Sequence, residues 1–284
     1  MNVAKARVVG RGGAKMTPLE AQPGAGDGAA GDVKLVKSAE RTIAILELLA
    51  AAPQPLTTAE IFRLTGYPRS SLHWLLLTLL ELNWIEQTAE GGYRIGAHAL
   101  LCGTAYLDRD PVMEHVSAVL EKVRNATTFT THYARLDRSD VIYLATRQAV
   151  DRRRLSSRVG RKLPAQVTAL GKAILSELTD AEVRQRIGAG PYERLTPNTV
   201  PDFEALQAEL AVFRRTGHSV EREQNTVGLC CVSVVVPYRI PGTDAISCSI
   251  PTELATEEVL RDTVATLEAA AAELARTLRV AGIR

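Results

Sequence analysis

The sequence predicts an α+β chain: a small winged helix-turn-helix at the N-terminal end, a linker helix, and a larger domain whose antiparallel sheet is flanked by helices. Three observations lead there. Thr57 to Asn83 reads as two amphipathic helices across a glycine-bearing turn, and a short hairpin pattern follows at once. Thr128 to Thr146 reads as a second hairpin behind an amphipathic helix. Val227 to Pro237 is an almost wholly apolar strand, followed by a hairpin partner and a long closing helix.

The first pattern justifies its elements one by one. Thr57 or Thr58 can cap a helix, because a hydroxyl there satisfies a backbone N–H that has no intrahelical acceptor. Ile61 and Leu64 give that helix one apolar face. Gly66 supplies the turn, since a residue without Cβ enters the left-handed region at no steric cost. Pro68 suits the start of the next helix, where its missing N–H is not needed. Leu72, Leu75, Leu76, Leu79 and Leu82 fall at helical spacing and predict its buried face. Arg69, Ser70 and His73 lie in its first turns on the other face, where a helix-turn-helix carries the residues that meet base edges and phosphates. Trp84–Gln87 and Tyr93–Ile95 flank the turn Ala89–Gly92 and read as a wing, with a supporting helix from Val36 to Ala52.

Charge does not single out this region. From Lys34 to Ala97 there are six Lys or Arg and six Glu, so phosphate contact depends on where Lys37, Arg41, Arg69 and Arg94 gather. The whole chain carries a net charge of +2, too small to specify a partner. Its 284 residues, 46% hydrophobic and 23% charged, suit two ordinary domains with sizeable cores. Four Cys without metal-like spacing suggest a reducing compartment, and no signal peptide or membrane-length apolar run is visible. The expected location is the cytoplasm. No metal or cofactor is expected: neighbouring strand residues point opposite ways, so Cys230 and Cys231 are poor joint ligands.

The expected domains are a disordered arm at 1–33, the winged helix at 34–96, the linker helix at 97–110, and the larger domain at 111–284. The arm is rich in Gly and Ala and shows no period. In the linker, Cys102 reads as a small apolar residue. Pro111–Ala126 is an amphipathic helix, and Thr128–Leu136 pairs with Val141–Thr146 across Arg138–Asp140. Between Arg147 and Lys162 lie seven basic residues against one acid, Asp151. Such a run either solvates a strand edge or attracts an anionic ligand. A helix is expected from Gly171 to Leu178, another from Asp180 to Ile187 behind Thr179 or Asp180, and another from Asp202 to Thr216. Ser219–Gln224 reads as a charged strand, Val227–Pro237 as the central strand, Ala245–Ile250 as its partner, and Thr256–Arg279 as the closing helix. Alternation puts Leu229, Cys231 and Ser233 on one side, and Ser247 and Ser249 on one side of the partner.

Several segments in order resemble bacterial transcriptional regulators of the IclR type. They are Val36–Leu46, Gly66–His73 and Tyr93–Gly96 for a DNA-binding domain, and Thr168–Leu175 and Gly228–Val232 for an effector domain. The resemblance runs from about Val36 to the C-terminus. It implies a GAF-like C-terminal domain, a double-stranded DNA operator, a small-molecule effector, and a homodimer or tetramer joined partly through the linker. Arg41, Thr57, Arg69, Ser70, Ser71, His73 and Arg94 are then the DNA-contact candidates. The resemblance also implies an effector pocket lined by Ala169 and Leu170 through their backbone, Glu221, Leu229, Cys231, Ser247 and Ser249. Glu221 either accepts from an effector hydroxyl or pairs with Arg222 or the basic run. Lys172 matches a lysine of the family and is equally readable as structural. One position departs: Trp74 stands where the family commonly has Arg. It either packs on sugar or a thymine methyl, or folds back onto its own domain.

The function this implies is transcription regulation by a dimer that sets two recognition helices about one DNA turn apart, with operator affinity answering to a metabolite. Two serine hydroxyls and helix-start amides suit a carboxylate. Two rivals remain at this stage. One is a winged-helix interaction module with no DNA partner. The other is an enzyme built around His132, His218 and Cys231, although no G-x-S-x-G, His-x-x-His or phosphate-loop signature is present and no catalytic residue is assigned.

Overall fold

A computed structural model describes residues 35–149 and 159–284. The expected arm at 1–33, and Asp151, Arg152, Arg153, Arg154 and Arg158 of the basic run, lie outside the described residues. The chain divides into two compact units, Met1–Cys102 and Gly103–Arg284.

In the first unit, α1 (Lys37–Ala51), α2 (Thr58–Thr65) and α3 (Arg69–Glu81) precede the hairpin β1 (Ile85–Gln87) and β2 (Tyr93–Ile95). Thr57 caps α2 in a reciprocal box: its hydroxyl accepts from Glu60 N, while Glu60 Oε2 accepts from Thr57 N at 2.8 Å. Gly66 ends α2 at φ 64°, in the left-handed region. Ile45, Leu48 and Leu49 of α1, Ile61 and Leu64 of α2, Leu72, Leu76 and Leu79 of α3, and Ile85 of β1 form the core. Leu82, expected in that core, is exposed. It is the C-cap of α3, where the chain leaves the helical spiral before Asn83 turns at φ 59°.

A 3₁₀ turn (Ala97–Ala99) leads into α4 (Leu100–Arg109), and the division between units falls inside this helix. α4 has no buried residue; Leu100, Leu101 and Tyr106 are exposed, as is Cys102, which is therefore no packed apolar residue of this chain.

The second unit holds α5 (Met113–Thr127), β3 (Thr130–Asp137), β4 (Asp140–Arg147), β5 (Lys162–Pro164), α6 (Ala169–Ser176), α7 (Asp180–Ile187), α8 (Phe203–Thr216), β6 (Ser219–Arg222), β7 (Leu229–Val235), β8 (Asp244–Pro251) and α9 (Glu257–Val280). Its six strands form one antiparallel sheet in the order β5-β4-β3-β8-β7-β6. One face packs on α5 and α9 through residues such as Tyr133, Val232, Ile246, Cys248 and Ile250. The other packs on α6, α7 and α8 through Ala134, Val141, Tyr143 and Ala245.

Several boundaries differ from the sequence reading for local reasons. β3 starts at Thr130 because Thr128 caps α5 at φ 65°. β6 stops at Arg222 because Glu223 turns at φ 56°, and β7 starts at Leu229 because Gly228 turns at φ 82°. α6 begins at Ala169, not Gly171, since Thr168 is its cap and accepts from Gly171 N at 3.0 Å. β7 is not central. β3 and β8 hold the middle, and β8 is buried along nearly its whole length even though it carries Ser247 and Ser249.

Candidate functional site

The first unit presents an exposed face of α3. Arg69, Ser70 and His73 are all exposed there, and Trp74 is 65% exposed. Trp74 meets the adjacent His73 ring edge-on at 5.5 Å. It does not fold into the domain, so the helix offers an indole to whatever it meets. Leu77, one turn further, is also exposed. Arg69 lies over the Phe62 ring at 5.1 Å, a contact that steadies the guanidinium. Arg41 is half-buried, lies over the Tyr67 ring at 5.2 Å, and donates from Nη1 to Ser71 Oγ at 3.2 Å. Arg41, Ser71 and Arg69 are thereby tied to the same corner of the domain.

Two candidates are engaged elsewhere. The Thr57 hydroxyl is held in the capping box, where it also donates to Glu60 Oε2 at 2.7 Å. Arg94, on the wing, donates through Nε and Nη2 to Glu86 Oε2 at 3.1 and 2.9 Å. The Arg94 hydrogen bonds hold the Glu86 carboxyl below its ordinary range. Neutral as the region is in sum, its charge is arranged: the wing's cation is matched, while Arg69 has an aromatic platform and no carboxylate partner among the described residues.

The second unit contains a narrow pocket on the α6–α8 face of the sheet. It is lined by Tyr143, Thr168, Ala169, Leu170, Glu221, Asn225, Cys231, Ser247 and Ser249. Its empty space, counting the mouth open to solvent, is about 240 Å³. Six of the seven residues expected to share a pocket are thus brought together from α6, β6, β7 and β8. Leu229 is not among them. It starts β7 opposite Pro251, two residues beyond Cys231, whose partner Ser249 lines the pocket. Right parity along a strand does not guarantee right depth.

The polar groups form a connected set. Ser249 Oγ lies 3.2 Å from His132 Nε2 and 3.4 Å from Cys231 Sγ, and His132 Nδ1 lies 3.1 Å from Thr146 Oγ1. Burial holds the His132 imidazole neutral, its pKa pushed down to about 3, with Arg161 adding to the effect. A base held there takes no proton near neutral pH, and the group behind it is a hydroxyl and not a carboxylate. The Ser–His contact is therefore poor nucleophilic machinery. His218 does not join it; its Nδ1 faces the Thr216 carbonyl at 3.1 Å.

Glu221 is 2% exposed. Its Oε1 accepts from the backbone N–H groups of Gln224 and of Asn225, the latter at 3.0 Å. Burial raises its pKa against the pull of those amides. Arg222 points to the other side and pairs with Glu257 at 3.1 Å, so the Glu221–Arg222 pairing does not form. Lys172 is completely buried and is not among the residues that line this pocket. Its ammonium donates to Glu209 and to the Gln224 side chain, fixing the loop that carries the amides bound by Glu221. Cys230 and Cys231 face opposite sides of the sheet, Cys230 in the α5–α9 core and Cys231 in the pocket, where burial raises its thiol pKa. Among the described residues no group of His, Cys, Asp or Glu is placed to hold a metal ion.

Sequence reasoning did not place Tyr143, Thr168 or Asn225 at the pocket, and offered His132 only as part of an enzyme. Alternation with Val141 signals which face Tyr143 takes, and capping chemistry signals Thr168. Asn225 lies in an irregular loop with no such signal. A wider depression, lined in part by Ser176, Glu177, Arg214 and His218, lies on the same unit. Its Arg214 is already bound to Asp180 and to the carbonyls of Ser176 and Leu178.

Comparison with known proteins places these features. Residues 104–276 match the family described as bacterial transcriptional regulator IclR C-terminal, and residues 38–89 match the IclR helix-turn-helix domain. The acetate operon repressor of Salmonella typhimurium is 30% identical over 254 residues, 88% of this chain and 92% of that protein. The regulator XynR of Escherichia coli is 32% identical over 203 residues, 71% of this chain and 81% of its own. Among solved structures, the repressor BlcR of Agobacterium tumefaciens is 28% identical, with a TM-score of 0.56 over 88% of this chain and 98% of that one. An IclR-type regulator from Alicyclobacillus acidocaldarius, 23% identical, shares the fold with a TM-score of 0.73 over 86% of this chain and 99% of that one.

Proposed function

The chain belongs to the IclR family of bacterial transcriptional regulators, and on that premise we propose that it is a cytoplasmic homo-oligomer whose operator affinity answers to a small carboxylate. The family carries the coarser part: a helix-turn-helix domain that binds DNA and a C-terminal domain that binds an effector. The finer part rests chiefly on one observation, the convergence of Thr168, Ala169 and Leu170 at the amino-terminal end of α6 with Ser247, Ser249 and Glu221 on one narrow pocket. Helix-start N–H groups and hydroxyls accept negative charge well. Buried Glu221 offers an acceptor to a hydroxyl elsewhere on the same ligand. The narrow space favours a ligand of few heavy atoms.

On the DNA side, Arg69, Ser70, His73 and Trp74 are the groups we assign to the major groove, with Arg41 and Ser71 on the adjacent backbone. Trp74 replaces hydrogen-bond readout by apolar contact, of the kind a thymine methyl accepts. Thr57 is assigned to helix stability, and Arg94 to the wing, where it reaches phosphate by exchanging Glu86. The exposed apolar residues Leu100 and Leu101 favour pairing of two copies through α4. Among the described residues no helix is long and apolar enough to cross a membrane.

Neutralising Arg69 tests the DNA assignment. Arg69→Ala is expected to weaken specific operator binding by about tenfold or more, the size of one good charged contact, with oligomeric state and unfolding temperature unchanged. Unaltered operator binding would remove Arg69 from the interface and favour a protein partner for this domain.

A further inference from the structure

Arg135 ties the sheet to the end of α4. It lies on β3 directly opposite Asp244 of β8, and directly opposed residues send their side chains to the same face. That is the α5–α9 face, where Tyr133 and Ile246 also pack. The Asp244 side chain is fully buried. Its Oδ1 accepts from Arg135 Nε at 2.6 Å. Its Oδ2 accepts from Arg135 Nη2 at 3.0 Å, from the Tyr133 hydroxyl at 2.8 Å and from the Tyr238 hydroxyl. The remaining nitrogen, Nη1, donates to the Tyr106 hydroxyl at 2.9 Å and to Asp110 Oδ2 at 2.5 Å. Tyr106 is on α4. Asp110 is the corner between α4 and α5: its N–H donates to Tyr106 O at 3.1 Å, and its Oδ1 accepts from Val112 N at 3.0 Å.

The two ends of this guanidinium differ. At Asp244 it forms a matched pair away from water, and breaking that pair would strand a buried charge. At the other end Asp110 is a second carboxylate on a cation that Asp244 already matches, beside the exposed Tyr106. That contact can open without stranding a charge: Asp110 turns to water and Arg135 keeps Asp244. Opening it leaves α5 in place, since Val112 and Val116 are buried in the core. It does bear on α4, which buries no residue completely and meets that core through half-buried Leu107. The pocket stands on the same ladder. His132↔Ser247 is the rung three residues from Arg135↔Asp244, about 10 Å along the strands, with its side chains on the other face.

We propose that Arg135 is the positioning residue through which the effector acts on α4. The β3–β8 ladder carries a change at Ser247 and Ser249 to Arg135, which keeps or releases Tyr106 and Asp110 and so sets the helix that leads into the DNA-binding unit. This rests on the pocket being the effector site. The two-state element is the Nη1 contact, made or open, and the effector shifts it by binding one arrangement more tightly than the other.

The test measures effector binding and operator affinity in the same variants. Thermal unfolding of the full chain with acetate, glycolate, lactate and benzoate selects the probe that stabilises it most. Gel retardation of DNA flanking its gene is then read with and without that probe. The double substitution Tyr106→Phe, Asp110→Asn removes the hydroxyl and the charge that Nη1 meets, and leaves the Asp244 pair whole. The probe is expected to stabilise this variant as it does the wild type. It is expected to change wild-type operator affinity by about tenfold, an ordinary coupling between two sites, and the variant's by about twofold or less. Arg135→Lys keeps the charge but lacks the fork that serves both carboxylates, and is expected to lose the response in the same way. A merely structural role would lower stability, probe binding and operator binding together and leave the ratio of affinities with and without probe unchanged. A double variant with the wild-type ratio overturns the proposal. If that response is nevertheless abolished by Ser249→Val, the pocket stands and Arg135 does not. A wild type whose operator binding answers to none of the four probes overturns the carboxylate reading and this coupling with it.

Discussion

His132 shows how far a single residue's behaviour departs from its free chemistry. It is 2% exposed, between Thr146 and Ser249, and burial lowers its pKa from 6.5 to about 3. In the unfolded chain the same imidazole protonates near 6.5, so below that pH the unfolded state binds the extra proton. Stability is therefore lost as pH falls from about 6.5 toward 3, with a slope approaching 1.36 kcal/mol per pH unit for this one group. His132→Gln, which keeps a donor and an acceptor, is expected to flatten that part of the stability profile in urea titrations between pH 7 and 5. An unchanged slope would mean that the imidazole titrates normally in the fold. At this scale the sequence was least legible. Ser247, Ser249, Cys231 and Glu221 could be placed on one pocket by alternation and resemblance. His132 and Tyr143 depend on the β3–β4–β8 order, which no single segment encodes. Leu229 has the right parity but sits a step too far along its strand, since periodicity sets the face and not the depth.

Elements are more legible in the sequence than single residues, because caps and periods are local. The cap at Thr57, one of the two threonines the sequence offers, the Gly66 turn and the Leu72, Leu76, Leu79 stripe all lie where the sequence indicates them. The same chemistry predicts how they fail. Thr57→Ala removes the cap and is expected to destabilise the first unit by about 1 kcal/mol, whereas Thr57→Ser is expected to be near neutral. If Thr57→Ala instead weakens DNA binding with stability unchanged, the hydroxyl belongs to the interface. Leu76→Ala, at 2% exposure in a core of nine buried residues, is expected to cost about 2–5 kcal/mol. Denaturant unfolding followed by far-UV circular dichroism measures both. Single residues in the left-handed region escape the sequence signal at this scale: Thr128 and Glu223 cut strands short although neither is glycine. The central place of β8 was hidden by its serines. They are tolerated in a buried strand because each has a use: Ser249 meets His132 and Cys231, and both serines line the pocket.

For the whole molecule, the two units divide the work, one for DNA and one for the effector, as in other members of the family. An effector shifts operator affinity only by the difference between its affinities for the DNA-competent and DNA-incompetent arrangements. A ligand that binds tightly but equally to both changes nothing, so binding and regulation must be measured together. The decisive experiment is gel retardation with the full chain and DNA flanking its gene, against unrelated competitor DNA, at two salt concentrations, with and without the carboxylate that best stabilises the protein. A regulator of this kind retards the flanking DNA specifically, keeps that preference as salt rises, and shows a changed affinity when the carboxylate is added. Retardation that vanishes equally for both DNAs with salt, or a specific complex indifferent to every stabilising carboxylate, would contradict the account.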